Sequence, residues 1–314
     1  MSSIYDKSSL VLIPSGTKTS KVYSQKPTNG DGDFDFTRST AATRIAANGN
    51  IEKETQNLLL YSNDFNTGFS KTRASLVSGQ AGYDGTSNAW GLVDTTDNNT
   101  HLIVQTIASS SVATFSVYAK AGAVNFLAFR YEHSSVEYAY FDLLNGTLGT
   151  INSGYIDAKI TSVGGGWYRC EASRTSSNKA VIISAQSDND PTYAGAGNTA
   201  IYIQDAQVNQ GLIAQEVITT TTTALYGGIT DNVPRLDYTD SSCPALLLEP
   251  QRTNVIPYSE YYPAATRVNI TQNSVVSPEG VNNAASVVAT SVNGSHEVTI
   301  SPLISIPNTN TRTF

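Results

Sequence analysis

The stretch ATFSVYAK, residues 113–120, decides the fold class because hydrophobic and polar side chains alternate along it. Phe115, Val117 and Ala119 occupy one phase, and the positions between them hold polar or amphipathic residues. Successive side chains of a β-strand point to opposite faces of a sheet, so this period of two predicts a strand with one buried and one solvated face.

Similar short runs, rich in Val, Ile, Tyr and Thr and separated by turn residues, fill the chain from 66 to 218. They begin at residues 73, 88, 101, 112, 124, 136, 147, 155, 166, 180 and 199. Asn145-Gly146 lies between two of them, which is a strong signal for a β-hairpin. Many short antiparallel strands in one stretch predict a two-sheet β-sandwich of the jelly-roll type.

The composition agrees with an all-β protein. The 314 residues suffice for about two domains. Only 14% of the residues are charged, and Ser, Thr, Asn and Gly are abundant, which favours strands and tight turns over helices. The net charge of −7 argues against nucleic acid as a partner. The chain has no apolar stretch long enough for a membrane span, and its N-terminus does not have the pattern of a secretion signal.

The residues that usually carry chemistry are sparse. Cys170 and Cys243 fall in different predicted modules, so we predict buried free thiols and a protein made in a reducing cytoplasm. The histidines and cysteines do not have the spacing of a zinc site. Neither a nucleophile elbow nor a Ser, His and Asp grouping stands out, so we predict a protein that is not an enzyme.

Calcium is the one cofactor that the residues leave open. Asp188 and Asp190 form one candidate pair of carboxylates, and Asp94 and Asp97 form another. Neither pair matches a defined calcium loop, and aspartates at such positions commonly cap turns. We therefore predict no cofactor, with Ca²⁺ as the alternative.

A long-range repeat divides the chain into modules. QNLLLYSNDF at 56–65 nearly recurs as TNVIPYSEYY at 253–262, which is 197 residues further on. This spacing is too long for a solenoid repeat and indicates duplication of a whole module. We interpret the repeated stretch as a clasp that starts each module and packs its Leu and Tyr residues on the sandwich.

The repeat leads to a division of the chain into five parts. We predict an N-terminal anchoring segment (1–33), a β connector (34–65), a jelly-roll sandwich (66–218), a linker with a second connector (219–262) and an incomplete second jelly roll (263–314). Asn48-Gly49 in the first connector predicts a type I′ hairpin. Since the second sandwich would hold only its first strands, we expect the natural protein to continue past Phe314.

Aromatic residues of the first sandwich are the candidates for carbohydrate binding, because flat aromatic faces stack on sugar rings. The five candidates are Trp90, Tyr118, Tyr131, Tyr138 and Tyr193. Trp90 is the most informative, since the repeat has Ala285 at the matching position. Ordinary packing is the alternative role for each of them.

Several stretches together resemble a known family. They are IYDKSSLVLIPSGTKTSKVYSQKP (4–27), FDFTRSTAATRIAANGNIE (34–52), NLLLYSNDF (57–65), SVYAKAG (116–122), GWYR (166–169) and IQDAQVNQG (203–211). The combination is similar to the N-terminal part of tailed-bacteriophage virion proteins that are described as tail fibre or structural proteins. In that family a connector with an FTR motif precedes a jelly roll of the carbohydrate-binding-module type.

The resemblance implies a structural protein of the virion, assembled in the cytoplasm of the host bacterium. The N-terminal segment would dock onto a tail, collar or capsid protein through the apolar cluster of Leu10, Val11, Leu12 and Ile13. The jelly rolls would project outward and contact host surface glycans, and the fibre would be a homo-oligomer, with a trimer expected. Two alternatives remain: a capsid or tail decoration protein that binds only virion proteins, and the base of a depolymerase spike whose catalytic domain lies beyond residue 314.

Overall fold

In the computed structural model of the chain, the regular secondary structure is almost wholly β-strand. It describes residues 3–39, 42–109, 111–132, 136–249, 254, 256 and 259–299. The N-terminal part contains helix α1 (Ile4–Lys7) and strands β1 (Val11–Lys18), β2 (Lys21–Lys26) and β3 (Phe34–Asp35). These strands form one antiparallel sheet, which we call the N-terminal sheet, in the order β1-β2-β3. It extends across the predicted boundary at residue 33.

The connector contributes short strands only. They are β4 (Arg44–Ile45), β5 (Ile51–Glu52) and β6 (Thr55–Asn57). The β4–β5 hairpin closes through a five-residue loop in which the Gly49 N–H donates to the carbonyl of Ala46, and only Gly49 has a positive φ. The predicted type I′ turn, which needs two residues with positive φ, is therefore wrong. Asn48 instead accepts a hydrogen bond from the Asn50 N–H and retains ordinary backbone geometry.

The first sandwich follows, after helix α2 (Phe65–Gly68). Its strands are β7 (Ser70–Thr72), β8 (Ala74–Gln80), β9 (Ala89–Asp94), β10 (Asn98–Asn99), β11 (His101–Ser109), β12 (Ala113–Ala121), β13 (Phe126–Glu132), β14 (Val136–Asp142), β15 (Thr147–Ile151), β16 (Asp157–Gly164), β17 (Trp167–Arg174), β18 (Ser177–Ala185), β19 (Tyr193–Ala194) and β20 (Thr199–Gln210). Each of the runs predicted from the sequence overlaps one of these strands.

Two six-stranded antiparallel sheets make up the sandwich. The first sheet has the order β15-β14-β13-β18-β11-β7, and the second has the order β16-β17-β12-β20-β9-β8. Phe115, Val117 and Ala119 of β12 are buried between the sheets, as the alternation in ATFSVYAK predicts. The predicted solvated face is wrong for Thr114 and Ser116, which are each 1% exposed. Phe129 of β13 approaches Phe115 from the opposite sheet, with ring centroids 4.3 Å apart. The predicted fold class, an all-β antiparallel sandwich, is confirmed.

The first clasp, residues 56–65, is built into the sandwich. Leu59 and Phe65 are fully buried in the core. The Asn57 side chain donates to the carbonyls of Ala206 and Ile218 at 3.1 and 2.7 Å. Its Oδ1 accepts the N–H groups of Leu59 and Val208. Because this one amide satisfies four backbone groups, it joins the clasp to β20 and to the segment that follows β20.

The remaining strands are β21 (Leu225–Gly227), which pairs with β6, β22 (Leu236–Asp237), β23 (Ala245–Leu246), β24 (Ala264–Thr266), β25 (Val268–Val276), β26 (Asn282–Ala289) and β27 (Glu297–Thr299). We call β24–β27 the second unit. Strand β24 pairs with β27 as β7 pairs with β11, and β25 pairs with β26 as β8 pairs with β9. Arg73 and Arg267, each between the first two strands of its unit, both have positive φ values of 49° and 55°.

Parts of the repeat lie outside the described residues, among them Tyr258 of the second clasp (253–262) and the whole of 300–314. The domain boundaries stay predictions. The two cysteines differ: Cys170 is buried in the core, as predicted, whereas Cys243 is exposed. The prediction for Cys243 is wrong because its loop lies on the surface.

Candidate functional site

The outer face of the second sheet is polar. On β12, β16 and β17, the residues that alternate with the core residues and point away from the core have hydrogen-bonding side chains. Ser116 lies beside Glu171, and Tyr118 lies beside Arg169. The register continues this face onto β16, where Lys159 is paired with Glu171. Cross-strand neighbours on one face are about 5 Å apart, so these side chains form one continuous surface.

An aromatic stack closes one end of this face. The rings of Tyr83 and Tyr118 are stacked with centroids 3.8 Å apart and an interplanar angle of 10°, and Trp167 meets Tyr83 edge-on. The Tyr83 hydroxyl donates to Asp205 Oδ2 at 2.9 Å. Burial raises the pKa of the Asp205 carboxyl, and the hydrogen bond from Tyr83 opposes that shift in part. Burial likewise raises the pKa of Tyr83, so its hydroxyl stays a donor.

A groove of about 770 Å³ runs beside the stack. The first sandwich forms one wall, with Tyr118, Lys159 and Arg169 among its residues, and the β25–β26 hairpin of the second unit forms the other, with Asn273 and Val276. We call it the inter-unit groove. Its volume is in the range of small-molecule sites.

Three buried polar atoms at the groove have no hydrogen-bond partner among the described residues: Arg169 Nε, Ser173 Oγ and Asn273 Oδ1. An unpaired buried polar atom costs about 1–3 kcal/mol, so these atoms lower the stability of the groove wall. Each of them has almost no accessible surface, so a ligand in the groove does not reach them. The groove offers a ligand the exposed side chains of its lining instead, among them Lys159 and Thr161.

The charges of the groove are balanced. Lys159 and Arg169 supply two cations, and Asp157 and Glu171 supply two carboxylates. Protein groups also hold these side chains, since the Ala214 N–H donates to Glu171 Oε2 and the Arg169 guanidinium donates to a backbone carbonyl. A groove with two charges of each sign favours a neutral polar ligand over a strongly charged one.

Tyr118 is the predicted carbohydrate-binding residue that the structure places at the groove. One face of its ring is covered by Tyr83, and the Arg169 guanidinium lies over the ring at 5.5 Å from the centroid. Because the stacked ring occupies the first face, the guanidinium lies on the second. Tyr118 therefore offers no free flat stacking surface to the groove.

The other predicted aromatics do not join Tyr118. Tyr138 is half-buried on the outer face of the first sheet, in register with Arg130. Tyr131 is buried between the sheets, where the Arg174 guanidinium lies 4.9 Å from its ring centroid. Tyr193 is also buried, and its hydroxyl donates to Asp94 at 3.0 Å. Tyr131 and Tyr193 consequently offer no ring face to a sugar, which corrects their predicted role.

Trp90 holds the first clasp in place. It is half-buried against the core, and its indole N–H donates to the carbonyl of Asn63 at 2.8 Å. These contacts support ordinary packing, the alternative role, for Trp90. Ala285 at the matching position of the second unit lacks this contact.

The four candidate calcium carboxylates each accept hydrogen bonds from the protein. Asp94 Oδ1 accepts three successive backbone N–H groups, from residues 196–198. Asp97 accepts a hydrogen bond from the Thr95 hydroxyl. Asp188 accepts from the backbone N–H and the hydroxyl of Thr150, and Asp190 accepts from the same two groups of Thr192. In the part of the chain that the structure describes, no cluster of three or more His, Cys, Asp or Glu residues could hold a metal ion.

The predicted anchoring cluster lies on β1 and the residue before it. Leu10 and Leu12 are 43% and 36% exposed, and Val11 and Ile13 are half-buried. The apolar side chains on this strand are thus available to a partner without unfolding of the N-terminal sheet. Across the described ranges, no helix has the length and apolar character needed to cross a membrane.

Three residues of the groove were not predicted from the sequence: Arg169, Ser173 and Asn273. The alternation of β17 could have indicated the first two, because they share a phase opposite to Cys170 and Ala172 in the core. Asn273 had no signal, since it reaches the groove only through the docking of the second unit. Tyr83 was missed because its loop shows no strand pattern.

Comparisons with known proteins show a weak likeness to two β-sandwich chains. A Clostridium thermocellum endo-1,4-β-D-xylanase with CBM22-1 and GH10 modules, solved in complex with xylohexaose, aligns with 14% identity and a TM-score of 0.28 over 50% of this chain and 28% of that one. A sialidase aligns with 12% identity and a TM-score of 0.20 over 40% of this chain and 15% of that one. At these scores the likeness carries no inference about ligand or activity. No protein-family model and no curated protein matches the chain.

Proposed function

We propose that this chain is a non-enzymatic structural protein of a bacteriophage virion, a tail or collar fibre whose β-sandwich units bind carbohydrate on the host surface. The observation that carries the binding part is the inter-unit groove of about 770 Å³, whose lining is polar and carries two charges of each sign. The virion part is supported by the resemblance of the connector and sandwich motifs to phage fibre proteins. The recurrence of the clasp and of four strands supports a modular appendage.

Thr161→Ala tests the binding part without disturbing the fold. Thr161 is exposed on β16 and lines the groove, so its replacement should leave the free energy of unfolding within about 0.5 kcal/mol of the wild type. Loss of one hydrogen bond to a ligand should weaken binding about fivefold. The measurement is an array of neutral oligosaccharides, followed by calorimetry with the strongest binder. Ser162→Ala, an exposed serine of β16, is the matched control and should bind normally.

Antibody labelling of intact particles tests the virion part. Antibody raised against residues 66–218 should mark tail or collar appendages in electron micrographs. Label spread over the head would favour the decoration role, and unlabelled particles would contradict the proposal. Light scattering should give about three times the 33.4 kDa chain mass if the fibre is a trimer.

The N-terminal anchor has its own test. Leu10→Ser combined with Leu12→Ser should reduce incorporation into particles, because both leucines are exposed and their replacement leaves the sheet folded. Leu148→Ser alters a leucine of equal exposure in the first sandwich and should be incorporated normally. Equal incorporation of both variants would contradict the anchoring role.

A further inference from the structure

The β25–β26 hairpin reaches across from the second unit to the first sandwich. Asn273, which has a positive φ of 50°, donates through Nδ2 to Asp157 Oδ2 at 2.6 Å and to the carbonyl of Leu212 at 3.1 Å. Asn273 also lines the groove, together with Val276 and Asn282 of the same hairpin. Removal of the hairpin would therefore open the groove along one side and separate Asn273 from Arg169 and Ser173.

A cluster of three charges holds the turn of this hairpin. Lys53, just after β5, contacts Glu260 of the second clasp and Glu279 in the β25–β26 turn, the latter with Nζ and Oε1 2.5 Å apart. All three side chains are about one third exposed or less. We call them the ion triad. Beside it, the Ile51 N–H donates to the carbonyl of Pro278 at 2.8 Å.

The triad depends on its single cation. Burial disfavours the charged form of Lys53, but hydrogen bonds to Glu260 and Glu279 outweigh this and raise its pKa. Without the ammonium group, two partly buried carboxylates would face each other, and like charges at short range in a protein repel more strongly than in water. The two acidic residues belong to the second clasp and the hairpin, so their repulsion would loosen the second unit from the connector.

The contacts that join the units are side-chain and single backbone contacts rather than a shared sheet. In the ranges that the structure describes, β25 and β26 pair only with each other. A joint of this kind can open without unfolding either unit, because no strand ladder must break.

We propose that the inter-unit groove is a two-part site that is complete only when the second unit is docked, and that Lys53 is its positioning residue. The inference rests on the proposed carbohydrate-binding function for the ligand class. Its docking part rests on the ion triad and the Asn273 contacts alone. A ligand that pairs with atoms of both walls binds the docked form better, so it also strengthens the joint.

The first experiment measures docking without a ligand. Lys53→Met keeps the length of the side chain and removes the charge, so amide hydrogen exchange in 268–289 should become at least fivefold faster. Lys53→Arg should restore slow exchange, and 1 M NaCl should speed exchange in the wild type but not in Lys53→Met. Lys21→Met, which breaks an exposed ion pair with Asp35 in the N-terminal sheet, is the control and should leave 268–289 unchanged. Unchanged exchange in Lys53→Met would overturn the positioning role.

The second experiment measures binding of the strongest neutral oligosaccharide from the array. Lys53→Met should weaken its affinity about tenfold with circular dichroism unchanged, although Lys53 does not line the groove. Faster exchange with unchanged affinity would overturn the two-part site while leaving the docking role intact. If no oligosaccharide binds even the wild type, the carbohydrate function and the two-part site both fall, and the exchange data alone decide whether Lys53 positions the hairpin.

Discussion

The two clasps have related sequences, identical at three of ten positions, and the same local turn but different surroundings. In the first, the Leu59 N–H donates to Asn57 Oδ1 at 3.1 Å, and in the second the Ile256 N–H donates to Asn254 Oδ1 at 2.9 Å. Asn57 and Leu59 have no exposed surface, whereas Asn254 is exposed. The turn comes from local residues, since an Asn side chain caps the N–H two residues on wherever it lies. The burial of the first clasp comes from β20 and the segment after it, to which Asn57 is hydrogen-bonded.

The strand pairs that follow the clasps show the same contrast. Leu76 is in register with Leu92 in the first sandwich, and Ile270 is in register with Val287 in the second unit. Leu92 is fully buried, but Val287 is 49% exposed. Register is thus set within the hairpin, while the opposing sheet decides whether the same apolar pair becomes a core.

The largest expected effect comes from truncating the buried clasp leucine. Leu59→Ala should lower the free energy of unfolding by about 2–5 kcal/mol, because it removes buried methyl groups and leaves a cavity. Urea unfolding is followed by tryptophan fluorescence for the first sandwich, which holds both Trp90 and Trp167, and by far-UV circular dichroism for the whole chain. Ile256→Ala at the matching position should cost less than about 1 kcal/mol. Equal costs would show that the clasps are equivalent after all.

Replacement of the clasp asparagines should give the next largest difference. Asn57→Ala leaves the buried carbonyls of Ala206 and Ile218 without their partner and should cost about 1–3 kcal/mol. Asn254→Ala loses one exposed contact and should stay within about 0.5 kcal/mol of the wild type in the same unfolding assay. A large loss for Asn254→Ala would mean that the second clasp is buried in solution.

Trp90→Phe distinguishes packing from ligand binding at the position where the repeat has Ala285. It removes the indole hydrogen bond to Asn63 and should cost about 1 kcal/mol of stability. Oligosaccharide affinity should not change, because Trp90 does not line the groove. A variant of normal stability that has lost affinity would restore Trp90 as a binding residue.

Asp205→Asn should give the smallest effect, visible in its pH dependence. Burial raises the pKa of Asp205 in the folded state above the unfolded value of about 3.9. The native protein then binds this proton more tightly, so this group's contribution favours folding at low pH and is lost as pH rises through the folded pKa. Asn does not titrate, so the variant does not lose this contribution as pH rises. Its free energy of unfolding relative to that of the wild type should therefore increase from pH 4 to pH 7. A constant difference would show that the carboxyl is not desolvated.

The sandwich was predictable because its signal is local. The buried face of β12 can be identified from its own sequence, because Phe115, Val117 and Ala119 alternate with polar residues. The clasp was predictable as a unit from its recurrence, yet the leucine that enters the core is Leu59, and Leu60 is 39% exposed. The turn at Asn57 decides which of the three successive leucines enters the core. The geometry of that turn depends on hydrogen-bond acceptors about 150 residues away.

The candidate site was predicted less well, since the identity of an aromatic residue does not specify which way its side chain points. Tyr131 and Tyr138 lie on one strand pair, but one points between the sheets and the other outward, because they occupy opposite phases of the pleat. Tyr118 has the outward phase, and its ring faces are nevertheless covered by Tyr83 and Arg169.

The sequence by itself determined the all-β class, the strand runs, the duplicated clasp and the local turns within it. These depend on contacts between residues close in the chain, where side-chain period and hydrogen bonds over two or three residues dominate. Only the tertiary structure decided which clasp is buried and where a ligand could bind. The inter-unit groove brings Asn273 to Asp157 across 116 residues, and such long-range contacts follow from how whole sheets and units pack, which no short stretch of sequence encodes.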